Sequence, residues 1–410
     1  MSDLMRIAIV TNYRRKVAGA ETYLQAMLSA LALGNDLALI CDRDGPIARP
    51  PLALPEGTPL WLVERQGVRE TIRQLRQWRP NVIYCHGTES TELESLALKA
   101  APAVLMAHTY YGTCISGTKT CRRPITTPCH RHFGASCLLH YFPRRCGGRN
   151  PVTMARLYLR QRRRLRLLRE YHAVLTLSAS MRQEFLRHGL KPNRVVKLPA
   201  PGFDHEPPPL NRTSLPLIEG PRRLLFLGRM EHLKGGQILI QALPAVASAL
   251  GPINLTFAGD GPAMAQWKSL AEKTVQADQR LSIHFVGWID EERKRELFAQ
   301  TDALVVPSLW PEPYGLVGPE AAQFGVPAAA FDVGGIREWL RDGQTGCLAP
   351  GDPPTAKGLA DAIIRCLASR TDTWKLADGA RQQAAAMSRA KHFDVVRQIL
   401  EQAAGSQIQP

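Results

Sequence analysis

Two glutamates separated by seven residues, Glu312 and Glu320, have a spacing that suggests a binding site. They follow the apolar run 303–308, which has the composition of a buried parallel strand. Gly315 allows a tight turn, and 316–324 is predicted to be a helix with Glu320 about two turns into it. Because the first N–H groups of a helix lack intrahelical partners, this arrangement can bind an anion. The carboxylates would then accept hydrogen bonds from sugar hydroxyls, although the spacing alone fits two solvated glutamates equally well.

Two cations, Arg229 and Lys234, follow a second apolar strand pattern at 223–228. If the bound anion is a diphosphate leaving group, its negative charge grows in the transition state. A guanidinium fork and an ammonium group can stabilise that charge together. We identify no metal motif that this chemistry would require, so we expect the two cations to replace a metal ion and catalysis to need no cofactor. The alternative is that both cations are simply solvated.

The segment 224–352, about a third of the chain, resembles the nucleotide-binding domain of retaining glycosyltransferases of family 4, the group 1 glycosyl transferases. The resemblance rests on the two glutamates, on the two cations, and on six short motifs in the right order: 226–229, 234–235, 257–262, 285–287, 324–327 and 334–338. Any one of these motifs would be a weak signal, but their combination and spacing are specific.

The resemblance implies an α/β protein of the GT-B class, in which two doubly wound Rossmann-like domains face each other across a cleft. It also implies a hexosyltransferase-type enzyme that moves a sugar from a nucleotide-sugar donor to an acceptor hydroxyl with retention of configuration. By analogy, the catalytic residues would be His108, Glu312, Arg229 and Lys234. The donor-binding residues would be Gly19, Gly228, Arg229, Lys234, Gly287, Glu312, Gly315, Leu316, Val317 and Glu320.

Two positions in the first half of the chain carry part of this analogy. His108 ends the strand pattern 103–108, where the family has a histidine near the donor sugar and the acceptor. Without the resemblance, a hydrogen-bonded histidine at a strand end would be the preferred interpretation. Residues 18–21 resemble the Gly-Gly-x-Glu loop of the family, but Ala18 replaces the first glycine. Close approach of the backbone to a ligand is therefore less assured beside Gly19.

The pattern of strands, helices and prolines predicts two domains. The predicted segments are an N-terminal Rossmann-like domain at 1–202, a proline-rich linker at 203–221, a C-terminal nucleotide-sugar-binding domain at 222–380, and a helix at 381–410 that crosses back to the N-terminal domain. An insert at about 109–150 belongs to the N-terminal domain in this scheme.

The insert is rich in cysteine, histidine and basic residues, and its cysteines are Cys114, Cys121, Cys129, Cys137 and Cys146. Thiolates and imidazoles at this density can form a tetrahedral structural zinc site. The spacings are long and no Cys-x-x-Cys pair occurs, so the zinc signal is weak, and free thiols or disulfides are the alternatives. The basic residues beside His108 could hold an anionic acceptor.

The formal net charge of +16 indicates an anionic partner. We favour an anionic membrane surface or a phosphorylated substrate over nucleic acid, because no recognition-helix or aromatic-studded basic strand is present. The arginine-rich segment 154–171 is predicted to be a helix with one apolar stripe. Its arginines either face water, which is slightly favoured, or dock on anionic lipid.

The sequence begins with a strand pattern rather than a signal peptide, and no apolar run approaches the ~18 residues that span a bilayer. We therefore expect a cytoplasmic protein, peripheral on the inner face of the membrane, with an acceptor that is a carbohydrate or is linked to a lipid. Surface polysaccharide or glycolipid synthesis would be its setting. The alternatives are a GT-B nucleotide-sugar epimerase and a basic anion-binding protein on a degenerate GT-B fold.

Overall fold

The computed structural model describes residues 4–17, 19–202 and 220–406, so Ala18, most of the predicted linker and the end of the predicted helix 381–410 lie outside it. The described residues form two units. The first comprises the described parts of Met1–Thr118, Arg131–Ala200 and Arg389–Pro410, and the second those of Lys119–His130 and Pro201–Ser388. Within these ranges, no helix has the length and apolarity needed to cross a bilayer.

Strands of the first half of the chain are short apolar runs. They are β1 (Met5–Tyr13), β2 (Asn35–Arg43), β3 (Leu60–Leu62), β4 (Val82–Cys85), β5 (Ala103–Met106), β6 (Thr120–Cys121), β7 (Thr127–Pro128), β8 (Ala173–Thr176) and β9 (Val195–Lys197). Seven of them form a parallel sheet in the order β3-β2-β1-β4-β5-β8-β9. Every residue of β4, β5 and β8 is buried, as expected for a parallel sheet covered by helices on both faces.

The other two strands, β6 and β7, pair antiparallel as a hairpin that belongs to the second unit. The helices of this half are α1 (Gly19–Leu31), α2 (Val63–Trp78), α3 (Thr91–Ala97), α4 (Ser136–Tyr141), α5 (Pro151–Leu167) and α6 (Ala179–Arg187). Their N-terminal caps include Ser90 for α3 and Ser178 for α6, whose hydroxyls accept backbone N–H groups of the first turn.

The second unit contains a six-stranded parallel sheet in the order β12-β11-β10-β13-β14-β15. Its strands are β10 (Arg222–Leu227), β11 (Ile253–Ala258), β12 (Leu281–Gly287), β13 (Ala303–Val306), β14 (Ala328–Phe331) and β15 (Gly346–Ala349). Its helices are α7 (Gly236–Leu250), α8 (Met264–Ala277), α9 (Glu291–Ala299), α10 (Val317–Gln323), α11 (Ala356–Leu367) and α12 (Arg370–Ala385). Because the chain turns to opposite sides after β10 and β13, these neighbouring strands form the switch point where such sheets bind ligands.

The last helix, α13 (Arg389–Gly405), packs against α1, β4 and β5 and so lies in the first unit. Its buried residues Val396 and Leu400 supply the apolar contact. The hydroxyl of Tyr23 donates to Nε2 of His392 at 2.7 Å, while Nδ1 of the same ring donates to the Pro199 carbonyl at 2.8 Å. The helix begins at Arg389 rather than at the predicted 381, because α12 extends to Ala385.

The basic helix α5 presents two different faces. Met154, Leu157, Tyr158 and Leu165 of the predicted apolar stripe pack against a cluster formed by Ile115, Phe133 and Tyr141 of the insert. The arginines are not all in water, because Arg164 is only 4% exposed and its Nε lies 3.0 Å from Glu94 Oε2. Arg164 also donates to the Thr88 carbonyl and stacks over the ring of Tyr111. Burial of this cation follows from its position on the inner face of the helix.

The buried ion pair gives a stability prediction. Arg164→Met should lower the free energy of unfolding by about 3–5 kcal/mol, because it leaves the buried carboxylate of Glu94 without its counter-ion. Urea unfolding measures the change. Arg163→Met is the matched control, since Arg163 is the exposed neighbour on the same helix and its loss should change stability little. Equal stabilities for the two variants would contradict the assigned burial.

Candidate functional site

Lys234 and Glu312 meet at the switch point of the second sheet. Lys234 follows β10 and Glu312 follows β13, and Lys234 Nζ lies 2.6 Å from Glu312 Oε1. The hydroxyl of Ser308 donates to the same carboxylate oxygen at 2.5 Å. Glu312 is only 4% exposed, so these two donors compensate its charge. The structure thus brings together the residue predicted to bind diphosphate and the residue predicted to bind the donor sugar.

The loop that carries Glu312 is held by the Gly334–Gly335 turn. The N–H of Gly335 donates to the carbonyl of Glu312 at 2.6 Å. Gly334 has φ +58, and a Cβ there would lie 2.4 Å from the same carbonyl oxygen. The indole N–H of Trp339 donates to the carbonyl of Tyr314 at 2.7 Å. Only a residue without a side chain fits at Gly334, which explains the glycine that begins the 334–338 motif.

Glycines also bring the loops after β10, β11 and β12 together. A Cβ on Gly259 would lie 2.0 Å from the carbonyl oxygen of Gly228, and the N–H of Gly259 donates to the Gly287 carbonyl at 2.6 Å. By contrast, a Cβ on Gly228 or Gly287 would meet no described atom within 4 Å. These two predicted donor-binding glycines therefore have open space beside their α-carbons.

Arg229 lies in the loop immediately after β10 and pairs with a near neighbour. Its Nη2 is 2.5 Å from Glu231 Oε1, and the side chains are 47% and 36% exposed. An ion pair this exposed contributes little to stability, so its partners can be exchanged at small cost. Gly235, which follows Lys234, has φ +72, and a Cβ there would lie 1.8 Å from the Pro307 carbonyl oxygen. This close approach joins the Lys234 loop to the segment after β13.

Glu320 lies in the first turn of α10, not two turns into a helix, because it is only three residues after the helix start at Val317 and one turn takes 3.6 residues. Its Oε2 is 3.0 Å from Nζ of Lys294 on α9, a partner that sequence analysis did not identify. Burial raises the pKa of Glu320, and Lys294 opposes that rise. α10 has seven residues, so the predicted anion binding at Leu316 and Val317 rests on a very short helix and stays a prediction. Gly315 has the positive φ, +88, that the predicted tight turn requires.

In the first unit, His108 is half-buried and packs against a buried group of aromatic residues. Its Nε2 lies 3.0 Å from Nδ1 of His86, which follows β4, the strand beside β5. The Tyr23 ring is edge-on to that of His108, with centroids 5.5 Å apart. Burial lowers the pKa of His108 to about 4, and burial followed by the charge of His108 lowers the pKa of His86. Both imidazoles are therefore neutral near neutral pH.

Sequence analysis predicted His108 but missed His86. The sequence did contain a signal for His86, because it ends the strand pattern 81–86 just as His108 ends the pattern 103–108. Neighbouring parallel strands end at the same edge of a sheet, so the two imidazoles could have been expected to lie close together. The predicted donor-binding residue Gly19 is the first residue of α1, and a Cβ there would meet no described atom within 4 Å. Ala18, the departure from the family motif, lies outside the described residues.

The insert is divided between the two units, which corrects its assignment to the first domain alone. Lys119–His130 belongs to the second unit, while the following residues pack on α5 in the first. Among the described residues, no disulfide joins any of the five insert cysteines, Cys114, Cys121, Cys129, Cys137 and Cys146. Across the described residues, no group of three or more His, Cys, Asp or Glu side chains is arranged to hold a metal ion. Apolar packing and hydrogen bonds hold the described parts of the insert, and the structural zinc site stays a prediction.

Two family descriptions match consecutive parts of the chain. Glycosyltransferase Family 4 matches residues 17–206, and Glycosyl transferases group 1 matches residues 221–369. Together they cover most of the sequence, including His108 and all the predicted residues of the second unit. The chain belongs to glycosyltransferase family 4. The family resemblance and the α/β fold class predicted from sequence are confirmed.

Curated relatives of this family 4 chain match it over part of their length. Glycogen synthase from Mycobacterium tuberculosis (strain ATCC 25618 / H37Rv) is 34% identical over 221 residues, which are 53% of this chain and 50% of the relative. Phosphatidyl-myo-inositol mannosyltransferase from the same strain is 35% identical over 151 residues, 36% of this chain and 38% of the relative. This chain thus spans about half or less of the curated relatives that it matches.

Solved structures match the family 4 chain over nearly its whole length. Anabaena HepE in complex with UDP and glucose has a TM-score of 0.68 at 17% identity, covering 97% of this chain and 99% of that one. WaaG, a glycosyltransferase involved in lipopolysaccharide biosynthesis, has a TM-score of 0.69 at 16% identity, covering 96% and 99%. At this identity the likeness shows the fold, which is GT-B with two Rossmann-like domains.

The neutral histidines of the first unit predict a pH dependence. Because folding lowers the pKa of His108 from 6.5 to about 4, its contribution to stability is complete above pH 6.5 and is lost as the pH falls toward 4. His108→Gln should therefore show a smaller fall in melting temperature over this range than wild type. His284→Gln, at an exposed histidine, is the control and should follow wild type. Identical pH profiles for wild type and His108→Gln would contradict the assigned burial.

Proposed function

We propose that this protein is a glycosyltransferase that moves a hexosyl group from a nucleotide sugar to an acceptor hydroxyl. The observation that carries the proposal is the Lys234–Glu312 pair at the switch point of a family 4 sheet. An ammonium group has three N–H donors, so Lys234 can keep its bond to Glu312 while it binds a phosphate oxygen. Glu312 then stands where it can accept hydrogen bonds from the hydroxyls of the donor sugar.

The leaving group in this reaction is a nucleoside diphosphate. As the acceptor oxygen bonds to the anomeric carbon, the bond from that carbon to the phosphate oxygen breaks. Negative charge grows on the departing diphosphate, which takes up the proton that the acceptor hydroxyl loses. Arg229 can leave its exposed pair with Glu231 and bind phosphate through two N–H groups, while Lys234 acts as a point charge. We assign Glu320 to the ribose, where Lys294 would orient its carboxylate. No metal ion is required in this scheme, since the two cations stabilise the departing charge.

His108 is assigned to the acceptor side of the reaction. Its low pKa keeps the imidazole neutral, so it can form a hydrogen bond to a sugar hydroxyl without adding a positive charge. We further propose that the configuration of the transferred sugar is retained, as the family resemblance implies. A carbohydrate or lipid-linked acceptor, used in surface polysaccharide or glycolipid synthesis at the cytoplasmic face of a membrane, fits the basic surface of the first unit.

A nucleotide panel tests the donor site. UDP, GDP, ADP and CMP are each added to wild type and to Lys234→Ala, and thermal melting is recorded; UDP is tried first because HepE binds it. A nucleotide at ~100 times its dissociation constant should stabilise wild type by roughly 2.7 kcal/mol, and the variant much less. Lys375→Ala, at an exposed lysine of α12, is the control and should respond like wild type. If no nucleotide raises the wild-type melting temperature, the proposed donor site is wrong.

The same nucleotide then identifies the reaction. The protein is incubated with sugar conjugates of that nucleotide and with candidate acceptors. The anomeric coupling in the NMR spectrum of the product then reports whether the configuration is retained. Conversion of a nucleotide sugar to its epimer without an acceptor would instead support the epimerase alternative. Salt-sensitive binding of polynucleotides in a shift assay, with no response to any nucleotide, would support the basic anion-binding alternative.

The exposed face of α5 supports an anionic membrane surface as a partner. Arg156, Arg160 and Arg163 are exposed and lie at helical spacing on one side of the helix. Val152 and Leu159 are on the same side and are 56% and 61% exposed. A face that mixes arginines with exposed aliphatic side chains matches the headgroup boundary of an anionic bilayer.

Vesicle sedimentation tests this membrane partner. Wild type should co-sediment with vesicles that contain phosphatidylglycerol and much less with pure phosphatidylcholine. The triple variant Arg156→Gln, Arg160→Gln and Arg163→Gln should bind the anionic vesicles about a hundredfold more weakly, because each basic residue near the surface contributes about 1 kcal/mol. A control with the same loss of charge in the second unit replaces Lys268, Lys273 and Lys357 with Gln. Equal weakening by both triple variants would show that net charge, and not the α5 face, governs binding.

A further inference from the structure

The segment Lys119–His130, here called the insert hairpin, contains β6 and β7 and belongs to the second unit. Its position in the sequence is inside the first half of the chain, between two segments of the first unit. The N–H of Cys129 donates to the carbonyl of Lys119 at 2.7 Å and closes the hairpin at its base. The hairpin is therefore a small folded element attached to the same unit as Arg229 and Lys234.

The insert hairpin makes two side-chain hydrogen bonds to this unit. Thr126 Oγ1 lies 2.9 Å from Nε2 of His232, and Nε2 of His130 lies 3.0 Å from Oδ2 of Asp352. His232 lies in the short 3-10 helix His232–Lys234. The Thr126–His232 hydrogen bond therefore joins the hairpin to the loop that carries Arg229 and Lys234. The contact with that loop is direct.

The hydrogen bonds of the His232 ring show which of its two nitrogens carries the proton. The side-chain amide of Gln237 donates to its Nδ1 at 3.2 Å, so the neutral ring carries its proton on Nε2 and donates it to the Thr126 hydroxyl. Burial, and then the positive charge of Arg122, lower the pKa of His232 and favour this neutral form. The side chain of Arg122 itself is exposed. The hairpin thus places a solvent-accessible cation within electrostatic range of the phosphate-binding loop.

A charge balance shows why an additional cation matters there. Arg229 is paired with Glu231, and Lys234 is paired with Glu312, so the two cations face two carboxylates before any ligand binds. A nucleoside diphosphate brings at least two further negative charges. One more guanidinium beside the loop would offset part of this excess and offers the planar fork that suits phosphate.

We propose that the insert hairpin is a built-in part of the donor site, in which Arg122 contacts the diphosphate and the Thr126–His232 hydrogen bond holds the hairpin on the loop. This inference rests on the proposed function, because it adds a residue to the same nucleotide site. It gives the insert a role in donor affinity rather than in metal binding.

Calorimetric titration of Arg122→Gln tests the inference. The probe is the nucleotide of the UDP, GDP, ADP and CMP panel that stabilises wild type. Its dissociation constant should rise about tenfold in Arg122→Gln, and the difference should shrink at high salt because Arg122 is exposed. Arg156→Gln removes the same charge from the surface of the first unit and should bind like wild type. Melting without nucleotide should be the same for wild type and both variants, and Arg122→Lys, which keeps the charge, should retain part of the affinity.

The hydrogen bond to His232 has its own test. Thr126→Val should weaken nucleotide binding, whereas Thr126→Ser, which keeps the hydroxyl, should restore it. Because Thr126 acts through the position of Arg122, the double variant Thr126→Val with Arg122→Gln should be no weaker than Arg122→Gln alone. Additive losses would overturn the positioning role of Thr126.

The outcomes separate the two levels of the proposal. If Lys234→Ala abolishes nucleotide binding while Arg122→Gln and Arg156→Gln both bind like wild type, the inference about the hairpin is wrong and the proposed function stands. If no nucleotide binds wild type, the proposed function fails, and the inference fails with it. A tenfold loss confined to Arg122→Gln supports both.

Discussion

Close contact between backbone segments at the carboxyl edge of the second sheet is the constraint on which the donor-side residues depend. Gly235 approaches the Pro307 carbonyl, Gly259 approaches Gly228, and Gly334 approaches Glu312, each at a distance that a side chain could not share. These contacts fix the loops after neighbouring parallel strands. Lys234 and Glu312 can then lie 2.6 Å apart although 78 residues separate them in the chain.

Charge is distributed in this basic protein according to local burial. Arg164 is enclosed and paired with Glu94, while Arg156, Arg160 and Arg163 on the same helix face water. The buried cation has to be matched by a carboxylate, because an unpaired charge in the interior is strongly unfavourable. The exposed cations need no such partner and remain available to anionic surfaces. A single helix therefore serves both the interior of the first unit and its surface.

Different interactions hold the two parts of the insert in place. Residues after the insert hairpin bury Phe133 and Tyr141 against the apolar stripe of α5. The hairpin has less apolar surface to bury and is joined to the second unit through hydrogen bonds of Thr126 and His130. Among the described residues, neither part is held by a disulfide.

The sequence by itself determined the fold class and the family, and it is the source of most residues of the proposed donor site. Buried parallel strands are local apolar runs, and the phosphate loop and the Glu312 loop have glycines at fixed offsets, so both are readable without coordinates. Only the tertiary structure decided which side chains meet. Lys294 pairs with Glu320, His86 with His108, and Arg164 with Glu94 through the alignment of strands and helices far apart in sequence. The same holds for the insert: its place in the sequence suggested the first domain, whereas long-range contacts such as the Thr126–His232 hydrogen bond group Lys119–His130 with the second unit.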